Sequence, residues 1–99
     1  MNTRTNQTVN ECELLASVTI AGGASELQIR SLFWGRDVVR LIIVDRAEVE
    51  MCNYQINILA EARYAVKSGR LSFVCRTLRG DDLELCKDVM LSVIKERTA

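Results

Sequence analysis

The stretch SELQIRSLFW, Ser25 to Trp34, carries two periods at once, and the topology of the chain turns on which of them applies. Ser25-Glu-Leu-Gln28 fits the capping-box pattern, in which a short acceptor is followed three residues later by a side chain that reaches back. Gly35 then stands where a left-handed C-terminal cap is wanted. Both signals predict a short helix. The same residues also alternate, with Leu27, Ile29 and Phe33 on one side, and WGRD then reads as a hairpin turn into VVRLIIV. The helix is the primary reading and the strand its alternative.

Outward from this segment, glycine supplies the punctuation, because the chain has no proline. Gly22, Gly23, Gly35, Gly69 and Gly80 divide it. Between Asp37 and Asp45 lies VVRLIIV, β-branched and almost wholly apolar, the pattern of a central strand buried on both faces. LSFVCRTL (Leu71 to Leu78) and LLASVTI (Leu14 to Ile20) are two further strands. Asp45-Arg-Ala-Glu48 and Asp81-Asp-Leu-Glu84 repeat the capping box before two more helices. The first of these carries a stripe at Cys52, Ile56, Leu59, Ala62 and Val66 and stops at Gly69; its start falls at Arg46 or near Cys52. The second carries Leu83, Cys86, Met90, Val93 and Ile94. The order is β-α-β-α-β-α, an α/β domain with a small, mainly parallel sheet of three to five strands and packed helices. The alternative is α+β, an N-terminal hairpin meander in the order β-β-β-α-β-α.

The totals bound the function. Ninety-nine residues form one domain, here residues 11–99 after a polar, flexible segment at 1–10. Thirteen basic residues cancel thirteen acidic ones, so no global field favours nucleic acid or an anionic membrane. The longest apolar run, LIIV at 41–44, is far too short to insert into a bilayer, and a cytoplasmic location is expected. Histidine is absent, which removes the commonest general base and the commonest metal ligand. The four cysteines, Cys12, Cys52, Cys75 and Cys86, have no metal-site spacing and are expected as reduced thiols, with Cys75 and Cys86 in the core. Cys52 near a helix start has no histidine to activate it. The expectation is a non-enzyme with no cofactor and no metal.

With this order of elements, the chain from Leu14 to Ile94 resembles a STAS domain, the fold of anti-sigma-factor antagonists and of the cytoplasmic tails of sulfate transporters. VTIAGGASELQIRSLFWGRD resembles the family's second strand and first short helix. VVRLIIVDRAEV resembles the next strand and loop, INILAEARYAVKSGRLSFV the long helix and following strand, and TLRGDDLELCKDVML the last loop and helix. The family's Asp-Ser-Ser-Gly motif falls on Cys52, Asn53, Tyr54 and Gln55, and none of the four matches. Asn53 has no hydroxyl, so the phosphorylation switch is absent. The resemblance implies a docking module whose partner is a kinase-type sigma-factor regulator or a transport ATPase.

The residues themselves allow the same surface. Asn53, Tyr54 and Gln55 offer donors, acceptors and an amphipathic ring over Cys52, with Glu48 and Glu50 as an acidic rim. Two other functions stay open. Gly22, Gly23 and Ser25 at the first helix's N-terminus would bind a small ligand or nucleotide. Alternatively, Trp34, beside Leu32 and Phe33, would form the face of a homodimer.

Overall fold

The computed structural model describes residues 12–20, 23, 25–51, 58–75 and 77–98. The elements are β1 (Glu13–Ile20), β2 (Ser25–Trp34), β3 (Val38–Asp45), α1 (Arg46–Met51), β4 (Ala60–Ala65), β5 (Arg70–Cys75) and α2 (Gly80–Thr98). The five strands form one sheet in the order β1-β2-β3-β4-β5, and every neighbouring pair is antiparallel. The mainly parallel, STAS-like sheet expected from the sequence is therefore overturned. The alternative anticipated the N-terminal β-β-β meander, but the full order is β-β-β-α-β-β-α.

The correction begins at Ser25 to Trp34, which is β2. A strand in the middle of a sheet uses its backbone donors and acceptors on both sides, here against β1 and β3. Its alternate side chains serve two faces. Leu27 and Ile29 enter the main core, and Gln28 is buried on the opposite side. Gly35 caps no helix. Its N–H donates to the Val38 carbonyl at 2.9 Å within the β2–β3 turn, and a Cβ there would lie 2.5 Å from Phe33 Cε2.

The long helix expected up to Gly69 is also replaced. Asp45 does start a helix, its Oδ1 accepting from the Ala47 N–H at 2.9 Å, but α1 spans only Arg46–Met51. Ala60 and Ala62, which a helix would favour by propensity, instead pair with Ile43 and Leu41 in the β3–β4 ladder. Their burial in the core outweighs that preference, because contacts made by the whole sheet override a few tenths of a kcal/mol per residue. Gly69, at φ +70°, donates to the Ala65 carbonyl at 2.8 Å and closes the β4–β5 hairpin.

β3 has the double burial expected of it. Val39, Leu41 and Ile43 face α2, whose Cys86, Met90 and Ile94 are fully buried against the sheet. Ile42 and Val44 face the other way and pack with Val49 of α1 and the half-buried Leu32. The buried Gln28 accepts from Arg30 Nε at 3.0 Å, and Arg30 Nη1 donates to the Cys12 carbonyl at 2.8 Å. At the far end of α2, Arg97 bonds Glu13 of β1 and sits 5.1 Å from the centroid of the Trp34 ring. Trp34 is half-buried and packs against the main core, while Phe33 beside it is exposed. Cys12 and Cys86 are buried. The flexible segment expected at residues 1–10 lies outside the described residues.

Two substitutions test this packing by urea unfolding followed by circular dichroism. Ile43→Ala removes fully buried core volume and is expected to cost about 2–5 kcal/mol. Gly69→Ala meets only Tyr64 Oη at 3.7 Å, so its cost, about 1–2 kcal/mol, comes from the left-handed backbone alone.

Candidate functional site

Of the expected docking residues, Cys52, Asn53, Tyr54 and Gln55 lie outside the described residues. Glu50 is described, exposed on α1, and accepts from Arg46 Nε at 3.0 Å. The long helix to which this surface was assigned does not form, because Ala60–Ala65 within it is strand β4.

The proposed ligand site also loses its frame. Gly22 lies outside the described residues, Gly23 precedes β2 at φ +98°, and Ser25 opens β2 in place of the helix expected there. A depression of about 390 Å³ does adjoin Ser25, lined by Glu26, Asp45, Arg46, Ala47 and Glu50. Its charges answer one another. Arg46 bridges Glu26 at 2.9 Å and Glu50 at 3.0 Å, and these hydrogen bonds, Glu50's first, raise the guanidinium's pKa above its ordinary value. Among the described residues no three His, Cys, Asp or Glu side chains converge to hold a metal ion.

The open surface lies elsewhere, on the face of β3, β4 and β5 opposite α2. Strand pairing arranges it in three rows across the sheet. Val38, Ala65 and Arg70 form one row, Phe33, Arg40, Arg63 and Ser72 the second, and Ile42, Glu61 and Val74 the third. α1 covers the Ile42 end, while the β5 end is bare: Val74 is 63% exposed. Arg40 and Arg63 are directly opposed, a repulsive cross-strand pair. Arg40 resolves this by leaning diagonally to Glu61, 3.1 Å away. A shallow depression of about 460 Å³ runs between Arg40, Arg63, Ser72 and Val74, and a smaller one of about 80 Å³ joins Val74 to Ile58. Val74 and Glu61 thus line both hollows, and Arg40 and Arg63 line the larger one.

β5 is also an edge. Among the described strands it pairs only with β4. The sequence reading found this strand but not its surface. The available signal was RLSFVC itself, in which Val74 is apolar at a position that alternates with Leu71 and Phe73 and so belongs to the polar face.

No protein-family model matches the chain, and comparison with curated proteins and with solved structures finds no match. Among the described residues no helix is long and apolar enough to cross a membrane.

If Val74 serves the surface rather than the fold, its replacement is harmless to folding. Val74→Lys is expected to change the unfolding free energy by less than about 0.5 kcal/mol, measured by urea titration. The new ammonium lies opposite Glu61, which favours it.

Proposed function

We propose that the chain is a non-catalytic protein-binding module that takes up an extended strand along the free edge of β5. The observation that carries this reading is a strand that ends the sheet among the described residues and bears the exposed Val74. Edge addition works through main-chain hydrogen bonds for affinity and through alternate side-chain positions for specificity. Here the alternate positions on the open face are Arg70, Ser72 and Val74, with Glu61 and Arg63 of β4 directly behind Val74 and Ser72. An incoming strand therefore meets an apolar contact at Val74, a basic one at Arg63 and an acidic one at Glu61.

The two edges of the sheet differ, which supports placing the site at β5. The β1 edge is guarded: its pairing is interrupted by a bulge between Leu14 and Ala16, α2 packs along it, and Arg97 is tied to Glu13. The β4–β5 register runs without a shift from Ala65↔Arg70 to Ala60↔Cys75, and the only charge within β5 is Arg70 at its first position. A regular edge with so little guarding is a template for another strand.

The partners implied by the STAS resemblance, a kinase-type sigma-factor regulator or a transport ATPase, have no premise in an antiparallel meander and are not carried forward. The test uses the purified full chain as bait for a displayed library of random peptides of about seven residues, long enough to pair with the edge. Enriched peptides are expected to alternate apolar and polar residues and to slow amide exchange across Arg70–Cys75 when bound. Peptides that protect a different segment, or a library that yields none, would overturn the edge reading.

A further inference from the structure

We infer that the strand taken up at the β5 edge is β5 of a second copy of this chain, paired antiparallel about a two-fold axis through Ser72. The inference rests on the edge reading above and adds the partner and the register.

Symmetry and pleat together restrict the geometry. A two-fold axis that joins two identical edges antiparallel is perpendicular to the sheet, and it leaves α2 of both copies on the same side. Opposed residues in an antiparallel pair point to the same face, so each residue must meet one of its own parity. Only registers centred on a residue satisfy both conditions. Within β5, centring on Ser72 or on Phe73 pairs the most residues.

Side-chain chemistry separates these two. Centred on Ser72, the open face places Val74 opposite Arg70 of the second copy, and Glu61 is the next residue in the same row. The aliphatic stem of that arginine then covers the exposed valine while its guanidinium extends toward the carboxylate of Glu61. This happens twice by symmetry. On the helix face, half-buried Leu71 meets half-buried Phe73 of the second copy, also twice, which extends the main core across the junction. Centred on Phe73, Val74 meets Ser72 and gains neither the stem nor the charge.

Glu61 already accepts from Arg40 Nη2 at 3.1 Å through Oε2, so the incoming guanidinium shares that carboxylate. The chain's formal net charge is zero, so two copies do not repel at long range. The two Arg70 side chains lie four residues apart along the junction, about 14 Å, beyond the screening length of about 8 Å at physiological ionic strength. Arg70 is the strand's only internal charge, and in this register it becomes the interfacial cation.

The test is sedimentation equilibrium of the full chain between about 1 µM and about 1 mM, the range over which a small interface declares itself. Wild type is expected to reach twice its 11.2 kDa mass. Val74→Lys sets an ammonium opposite Arg70 of the second copy and is expected to weaken the dimer about tenfold or more. Combining it with Arg70→Glu turns the repulsion into an attraction and is expected to bring the dissociation constant back to within about threefold of wild type. Circular dichroism confirms that each variant is folded. A dimer indifferent to Val74→Lys, or a loss that the charge swap does not recover, overturns the Ser72-centred register. A wild type that stays monomeric across the range overturns the second copy as partner. The edge reading is judged separately, because it stands if selected peptides still protect Arg70–Cys75 and falls if they do not.

Discussion

The structure depends on one constraint: β3 is apolar on both sides and has to be covered on both. Val39, Leu41, Ile42, Ile43 and Val44 are each buried to within 1% of complete. Full burial of one such side chain contributes about 1.5–3 kcal/mol, whereas an exposed ion pair contributes at most about 1 kcal/mol. The arrangement of covers therefore decides the fold, and the surface charges decorate it. α2 supplies one cover with Cys86, Met90 and Ile94. The other comes from Val49 of α1, with Leu32. Among the described residues this cover lies over the β3 end of the face, and toward β5 the face is open at Val74.

How much of this was legible varied with how many signals agreed. For β3, β1, β5 and α2, period, composition and flanking residues pointed the same way, and all four are present. Asp45 announced α1 correctly, and its side chain does cap Ala47. β2 was ambiguous because Leu27, Ile29 and Phe33 satisfy one period while Ser25, Gln28 and Gly35 suggest another. A capping box is two residue types at a fixed spacing, and a hairpin glycine looks the same in sequence as a helix-stop glycine. β4 was misread for a different reason. AEARYA is a good helix former locally, and only its neighbours Leu41, Ile43 and Phe73 make it a strand. Those neighbours are distant in sequence, so no local window contains them.

These two misreadings fed each other. With helices assigned to β2 and to the segment before Gly69, each strand seemed to be followed by a crossover, and a parallel sheet followed from that. Once β2 is a strand the connection at Gly35 is a tight hairpin, and adjacent strands joined by a hairpin are antiparallel. The surface was missed for the same reason, since an edge exists only when the order of strands is known. Val74 could be placed on the polar face from alternation, but its value comes from Glu61 and Arg70, which the sheet brings beside it.

The meander also sets the order in which the chain can protect itself during synthesis. Each strand pairs with its neighbour in sequence, so the sheet is able to assemble hairpin by hairpin as it emerges. Its main cover does not exist until α2 has been made, and the ion pair from Arg97 of that helix to Glu13 of β1 spans 84 residues. Until then Leu27, Ile29, Leu41 and Ile43 present a greasy sheet to the cell with both edges open. A ribosome pausing before Gly80 would hold the chain in its most adhesive state, and a chaperone that recognises apolar surface would find its target in that interval.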